Sequence, residues 1–180
     1  QEKIAVLTAV KEVVAGRVPL ISGVAETSTQ FAIEYSQACE EVGIDGLMVL
    51  PGMIYKSDEN EAVSHYQQIA RNCALPIMIY NNPITYGVDV GIEGMKTLAK
   101  ETNIVSIKEA TEDTRRISEL FSAFGDRFII FGGVDDIALE SLMLGCTGWI
   151  SGLTNVFPKE SVAIYKLAEQ GRYSEALEIW

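Results

Sequence analysis

Short apolar runs alternate along the chain with segments in which apolar residues recur every three or four positions. The runs have the length of strands and begin at positions 18, 46, 75, 104, 127 and 147, so successive starts lie 28, 29, 29, 23 and 20 residues apart. Apolar strands that alternate with helices indicate a parallel sheet covered on both faces, which is an α/β fold. Helices are predicted at residues 31–42, 61–72, 93–101, 115–124, 137–144, 159–170 and 173–180.

The regularity of this repeat favours a (β/α)8 TIM barrel over an open, doubly wound sheet. A complete barrel has eight strands and typically ~250 residues, whereas this chain has 180 residues and six predicted strands. We therefore expect residues 1–180 to form one partial TIM-barrel domain that lacks the first two strands and the C-terminal helices of the barrel.

The composition is that of a globular chain with an acidic surface. Hydrophobic residues make up 48% of the sequence and charged residues 22%, and the formal net charge is -11 at pH 7. Lys and Arg are scattered along the chain, so nucleic-acid backbones and anionic membrane surfaces would be repelled. We expect no nucleic-acid or membrane partner, and we expect the substrate to be a small molecule.

The cysteines and the apolar runs indicate the cellular location that we expect for the protein. Cys39, Cys73 and Cys146 are widely spaced and set among apolar or small residues, which fits buried, reduced thiols better than a disulfide framework. No apolar run reaches the ~18 residues of a membrane span. The first residues have the pattern of an amphipathic helix rather than a signal peptide. We expect a cytoplasmic protein.

One predicted strand carries a primary amine, because Lys108 stands in the apolar run that begins at Ile104. The preceding strand carries Tyr80 near its own end. Catalytic groups of barrels lie at the carboxyl ends of strands, and a desolvated lysine is more readily neutral and nucleophilic. A lysine that ends an edge strand and reaches out to water is the alternative. We interpret Lys108 as a Schiff-base nucleophile and Tyr80 as its proton-transfer partner.

The fifth predicted strand ends in two glycines, at positions 132–133, and Asp135 and Asp136 follow them. Glycines in late barrel loops can bind phosphate, but these carboxylates would repel it. They could accept hydrogen bonds from a substrate hydroxyl or ammonium group, or one of them could cap the next helix. The single histidine and the three cysteines are not clustered, so we expect no metal and no cofactor. We expect His65, inside a predicted helix, to be a solvated surface residue.

Four short motifs resemble, in the same order, those of the dihydrodipicolinate synthase and N-acetylneuraminate lyase family of Schiff-base barrel enzymes. The resemblance extends through essentially the whole chain. The motifs are YNNP at 80–83, IKEA at 107–110, GVDD at 133–136 and GWIS at 148–151.

The resemblance implies roles for individual residues. In this family the lysine forms an imine with a 2-oxo acid and the tyrosine transfers protons, which are the roles of Lys108 and Tyr80. The resemblance also implies a homo-oligomer, a dimer or a tetramer, and a glycine-threonine loop for the substrate carboxylate, which this sequence does not contain. We therefore expect the chain to be inactive in isolation. The substrate-binding residues implied are Asn82, Gly133, Asp135, Asp136 and Ile150.

Two positions depart from the synthases of this family. Thr85 stands where they have an arginine that binds a second carboxylate, and Gly52-Met53 stand where they have a pair of tyrosines. The chain looks more like family members that act on 1-pyrroline-4-hydroxy-2-carboxylate, and this likeness is carried by YKSD at 55–58, Asn82, GVDD at 133–136 and GLTN at 152–155. That likeness implies deamination and dehydration of this cyclic imine to 2,5-dioxopentanoate, with Lys108 attacking C2.

Other functions stay open at this point. One is 4-hydroxy-tetrahydrodipicolinate synthase, and another is an aldolase or dehydratase of 2-keto-3-deoxy sugar acids. Both would use the same lysine on a small 2-oxo acid. A further alternative, from a different class, is a catalytically silent barrel that keeps the fold and binds a ligand.

Overall fold

The computed structural model describes residues 1–52 and 54–180, so Met53 lies outside the described residues. The chain divides into two compact units, Gln1–Val105 and Ser106–Trp180. The elements of the first unit are α1 (Glu2–Val14), β1 (Ile21–Val24), α2 (Thr29–Val42), β2 (Gly46–Val49), α3 (Glu59–Arg71), β3 (Ile77–Asn81), α4 (Pro83–Tyr86), α5 (Ile92–Leu98) and the start of β4 (Ile104–Glu109).

The second unit begins within β4 and continues the alternation of helices and strands. Its further elements are α6 (Thr114–Phe124), β5 (Ile129–Gly132), α7 (Ala138–Met143), β6 (Gly148–Trp149), α8 (Pro158–Glu169) and α9 (Tyr173–Ile179). Single 3-10 turns lie at Gly125–Arg127, Asp135–Ile137 and Leu153–Asn155.

The strands pair in parallel and in chain order within each unit. In the first unit β1 pairs with β2 and β2 with β3, with Met48 opposite Met78. In the second unit β4 pairs with β5 and β5 with β6, with Lys108 opposite Phe131. Parallel strands joined by helices confirm the predicted α/β class. The described residues contain six of the eight strands of a (β/α)8 barrel.

The core of the first unit lies on both faces of its strands. In β3, Ile77 and Ile79 point to one face and are 0% exposed, and Met78 points to the other face and is only 5% exposed. A strand buried on both faces must be apolar throughout, which explains why the sequence shows continuous runs rather than alternation.

Helix α3 shows how local sequence sets an element boundary. The Asp58 carboxylate accepts a hydrogen bond from the Glu61 backbone N–H, and the Glu61 carboxylate accepts one from the Asp58 N–H. This reciprocal capping box satisfies two backbone donors at the start of the helix. The helix therefore begins at Glu59, two residues before the predicted start at 61.

The core of the second unit joins three helices. Leu139 of α7, Ile164 and Ala168 of α8, and Ala176 of α9 form one buried cluster. Trp149 of β6 packs against this cluster and is partly buried. The last strand is thereby held by helices on one side and by its pairing with β5 on the other.

The structure departs from the predicted elements mainly after β3. Residues 83–86 form the short helix α4, which the sequence did not predict. Pro83 occupies its first turn and the Asn82 side chain accepts a hydrogen bond from the Thr85 N–H. Both features favour a helix start, but four residues are too few to show a helical period.

Candidate active site

Lys108 occupies the carboxyl-terminal half of β4 and is only 8% exposed. Ser106 lies on the same face of the strand, is also buried, and donates a hydrogen bond from Oγ to the Ile129 carbonyl oxygen at 2.7 Å. Lysine is rarely buried to this extent. The alternative of a lysine that reaches out to water from an edge strand is therefore wrong.

Glu109 lies on the opposite face of β4 and is also buried, at 5% exposure. Its carboxylate accepts a hydrogen bond from the Thr111 backbone N–H at 2.8 Å. Burial, and next the nearby Glu109 charge, raise the pKa of the Cys146 thiol to about 12. Cys146 is a buried free thiol, as predicted, and at neutral pH it is protonated and weakly nucleophilic.

Gly133 packs directly against the stem of Lys108. Its backbone N–H donates to the Glu109 carbonyl oxygen at 2.8 Å. A Cβ at this position would lie 2.8 Å from the Ala110 Cβ, 2.9 Å from the Glu109 carbonyl oxygen and 3.0 Å from the Lys108 Cγ. Glycine is required here because the turn after β5 and the end of β4 approach too closely for a side chain.

Asp135 is half-buried and accepts hydrogen bonds from the loop after β6. Its Oδ1 accepts from the Trp149 indole N–H at 2.9 Å, and its Oδ2 accepts from the Leu153 backbone N–H at 3.0 Å. Burial by itself would raise the pKa of Asp135. Hydrogen bonds from the Ser151 hydroxyl, the Trp149 indole and the backbone N–H groups of Leu153 and Gly152 outweigh burial and lower this pKa.

The Asp135 side chain therefore does not cap the next helix, the alternative that the sequence left open. The residue at the N-terminal boundary of α7 is Ile137, and no side chain makes a capping hydrogen bond there. Asp136 is exposed, and both aspartates line a cavity of about 660 Å³ with Leu153, Glu160 and Trp180.

Ile150 follows β6 directly and is partly buried. Its backbone N–H donates to the Gly132 carbonyl oxygen at 2.9 Å, which extends the pairing of β5 and β6 by one residue. The second unit therefore brings Lys108 and Gly133 into contact. It links Asp135 and Ile150 through the segment that follows β6.

Tyr80 is partly buried near the end of β3, in the first unit. The Asn82 side chain donates from Nδ2 to the Tyr80 hydroxyl oxygen at 3.3 Å, while its Oδ1 caps α4. The ring of Tyr86 meets that of Tyr80 edge to face, with centroids 5.7 Å apart. Burial raises the pKa of Tyr86, and Tyr80 adds to the effect. The first unit thus brings Tyr80, Asn82 and Tyr86 together.

Asn81 is a buried residue of this motif that sequence reasoning did not single out. Its Nδ2 donates to the Asp89 carboxylate at 2.9 Å, and its Oδ1 accepts from the Val90 N–H at 3.1 Å. Both hydrogen bonds connect the end of β3 to Asp89 and Val90, which follow α4 in the chain. A buried asparagine at the end of an apolar strand was the available signal, because a buried amide requires partners.

The prediction of a surface position for His65 is wrong. The side chain is buried, and its ring nitrogens lie 2.9 Å from Thr29 Oγ1 and 3.2 Å from the Leu50 carbonyl oxygen. Burial lowers the pKa of His65, and the hydrogen bond to Leu50 opposes this only in part. With Thr29, Tyr55 and Glu61, His65 lines a cavity of about 230 Å³ in the first unit.

The described part of the chain contains neither a candidate metal site nor a candidate membrane-spanning helix. Within residues 1–52 and 54–180, no three His, Cys, Asp or Glu side chains are grouped so as to hold a metal ion. None of the helices in the same residues has both the length and the apolar character needed to cross a membrane.

The family model and the relatives described below point to one family. The model of the "Dihydrodipicolinate synthetase family" matches residues 1–180. A 4-hydroxy-tetrahydrodipicolinate synthase of Saccharophagus degradans is 36% identical over 179 residues, which are 99% of this chain and 62% of that protein. One of Exiguobacterium sibiricum is 37% identical over 167 residues, covering 93% of this chain and 57% of that protein.

Solved structures agree with these relatives. A dihydrodipicolinate synthase from Aquifex aeolicus matches with a TM-score of 0.93 at 31% identity, over 99% of this chain and 61% of the other. A chloride-inhibited dihydrodipicolinate synthase from Acinetobacter baumannii, complexed with pyruvate, matches with a TM-score of 0.92 at 31% identity and the same coverage. The chain thus spans about three-fifths of these proteins. It belongs to the dihydrodipicolinate synthetase family.

Proposed function

We propose that the protein containing this chain is a class I Schiff-base lyase that acts on a small 2-oxo acid or its cyclic imine. The observation that carries the proposal is a buried lysine, Lys108, at the end of a strand in a chain of this family. The pyruvate bound to the related Acinetobacter enzyme supports a 2-oxo acid as the partner of the amine.

Lys108 would supply the nucleophile. Its neutral amine adds to the C2 carbonyl of the 2-oxo acid, and the resulting carbinolamine loses water to give an imine. The imine withdraws electrons from C3, so a proton can leave C3 and an enamine forms. Gly133 supports this role because its lack of a side chain leaves room for the stem of Lys108.

Tyr80 would transfer protons in the same reaction. A phenol can donate and accept a proton, and the Asn82 amide donates a hydrogen bond to its oxygen. Asn82, Gly133, Asp136 and Ile150 would bind the substrate, with Asp136 exposed and able to accept hydrogen bonds from hydroxyl or ammonium groups.

The named relatives favour a condensing lyase as the overall reaction. The curated proteins described above are 4-hydroxy-tetrahydrodipicolinate synthases, at 36% and 37% identity. On this reading the enamine carbon attacks a second substrate, aspartate semialdehyde, and forms a carbon–carbon bond. Hydrolysis or transimination then frees Lys108.

Thr85 favours a second candidate. It lies in α4, and a neutral hydroxyl cannot replace the charge of an arginine in binding a second carboxylate. A substrate with one carboxylate, such as 1-pyrroline-4-hydroxy-2-carboxylate, does not need that charge. This cyclic imine plus one water balances 2,5-dioxopentanoate plus ammonia, and Lys108 would enter by attack at C2.

Borohydride trapping tests the chemistry that both candidates share. Full-length protein incubated with pyruvate and borohydride should carry a reduced adduct at Lys108, identified by mass spectrometry of peptides. Lys108→Ala should abolish the adduct, whereas Lys100→Arg, at an exposed lysine, should retain it. Lack of an adduct with both pyruvate and the pyrroline acid would contradict the proposal and favour a silent ligand-binding barrel.

Product analysis separates the candidates. Consumption of aspartate semialdehyde with pyruvate would establish the synthase, and release of ammonia from the pyrroline acid would establish the deaminase. Cleavage or dehydration of a 2-keto-3-deoxy sugar acid, with neither of the other activities, would assign the protein to the sugar-acid branch.

A further inference from the structure

We infer that Asp135 is a positioning residue, which holds the loop after β6 and through it Ile150, and that it does not bind the substrate itself. The consequence for Ile150 rests on the proposed function. The role of Asp135 in the loop rests only on the geometry of the second unit.

The hydrogen bonds to Asp135 occupy the acceptor capacity of its carboxylate. A carboxylate has two oxygens with about four lone-pair positions in all. The Trp149 indole N–H donates to Oδ1 at 2.9 Å, and the Leu153 backbone N–H donates to Oδ2 at 3.0 Å. The Ser151 hydroxyl and the Gly152 backbone N–H also lower the pKa of this carboxyl group by hydrogen bonding. Both oxygens therefore already accept hydrogen bonds within the protein, which leaves less capacity for a substrate hydroxyl or ammonium group.

These groups all belong to residues 149–153, which comprise the last residue of β6 and the loop that follows it. The Ser151 hydroxyl also accepts a hydrogen bond from the Thr154 N–H at 2.9 Å, so it connects the segment near Asp135 to the turn that follows. A Cβ added to Gly152 would lie 3.4 Å from Asp135 Oδ2, at the edge of ordinary contact. The loop is therefore packed around the carboxylate as well as bonded to it.

Ile150 lies inside the anchored segment. Its N–H is used by the Gly132 carbonyl oxygen, so a polar contact with substrate would come from its own carbonyl group. The Gly132 bond holds Ile150 on one side and Asp135 holds Trp149 and Ser151 on the other. Loss of the Asp135 anchor should thus displace Ile150 without removing any group that touches substrate.

Asp135→Asn tests this role in the full-length, substrate-free protein. The variant keeps the shape, but its amide NH2 replaces an acceptor oxygen and faces N–H donors. Solvent exchange of the Trp149 indole N–H and the Leu153 amide, followed by NMR, should accelerate about tenfold or more. Asp126→Asn, at an exposed aspartate, removes the same charge and should leave both rates unchanged. Unchanged rates in Asp135→Asn would overturn the inference.

Trp149→Phe keeps the inference testable if Asp135→Asn does not fold. It removes the indole N–H that donates to Asp135 Oδ1, so exchange of the Leu153 amide should accelerate by a smaller factor than in Asp135→Asn. If Asp135 contacted only substrate, this variant would leave the Leu153 amide unaffected without ligand. An unaffected Leu153 amide would therefore overturn the inference.

Borohydride trapping relates the anchor to the reaction. The rate of adduct formation at Lys108 with pyruvate should fall at least about tenfold in Asp135→Asn and stay unchanged in Asp126→Asn. Faster exchange with an unchanged trapping rate would show that the loop does not serve the reaction. If the unmutated protein forms no adduct, the proposed function fails, while the exchange rates still decide the role of Asp135.

Discussion

Contacts between residues distant in sequence decide what the candidate residues can do. Asp135 looks like a substrate ligand in the sequence, but it meets hydrogen-bond donors up to 18 positions away. His65 looks like a surface residue, but it meets Thr29 36 positions away and Leu50 15 positions away. Residue type indicated the available chemistry in both cases, and the tertiary contacts determined its use.

Gly133→Ala should destabilise the protein by about 1–3 kcal/mol because its Cβ would overlap Ala110 and a backbone oxygen. Urea unfolding would measure the change in free energy. Gly23→Ala is the matched control, since a Cβ there has no atom within 4 Å, and its effect should stay within about 0.5 kcal/mol. Equal effects of the two variants would contradict the close approach of Gly133 to β4.

Acid should destabilise the protein through His65. Burial lowers its folded-state pKa below the ordinary value of about 6.5. Its contribution to stability is therefore complete above that value and is lost as the pH falls through the folded-state pKa. The free energy of unfolding should fall as the pH drops below about 6.5, by at most about 1.4 kcal/mol per pH unit from this group.

His65→Gln should flatten that dependence because the variant cannot take up the proton. Urea unfolding at several pH values measures the slope for both proteins. His65 is the only histidine in the sequence, so its ring signals in NMR report the pKa directly. A pKa at or above the ordinary value would contradict the burial argument.

At the scale of elements, the boundaries follow short-range chemistry wherever caps are present. Asp58 and Glu61 start α3 through hydrogen bonds three residues apart, and Gly43 ends α2 with a φ of 80°, a left-handed conformation that glycine adopts without strain. β6 is only two residues long, shorter than its apolar run suggested, and the Leu153 N–H in the segment after it donates to Asp135. The predicted end of α2 at residue 42 is therefore correct, whereas the predicted start of α3 is two residues late and the predicted last strand is too long.

Asp58→Ala should destabilise the protein by about 0.5–2 kcal/mol, since it removes the cap of α3 and half of the capping box. Asn60→Ala lies in the same first turn, is exposed, and should change stability by less than about 0.5 kcal/mol. Thermal unfolding followed by circular dichroism would compare the two. A larger loss for Asn60→Ala would show that the capping box is not what stabilises this helix start.

At the scale of the whole molecule, the negative net charge disfavours polyanionic partners. The chain carries 25 acidic and 14 basic residues. Several of the basic groups are paired, as in the Arg71–Glu101 and Arg172–Glu175 ion pairs. A polyanion would meet repulsion over most of such a surface, whereas a small anion needs only a local site.

The protein should not bind duplex DNA at about 0.1 M salt. Fluorescence anisotropy of a labelled duplex would show no rise on addition of the chain at concentrations where a basic DNA-binding domain saturates. Binding that weakened steeply with added salt would contradict this expectation and would require a basic surface that the sequence does not show.

The sequence by itself determined the α/β class and the number and order of the strands, and it singled out Lys108 and Tyr80 as candidates for the site. Strand and helix periods are local properties, and an amine within an apolar run stands out without any knowledge of its neighbours. Only the tertiary structure decided that Gly133 packs on Lys108, that Trp149 and Leu153 donate hydrogen bonds to the Asp135 carboxylate, and that His65 is buried. Those outcomes depend on which distant segments the fold brings within a few ångströms, and no local period encodes that.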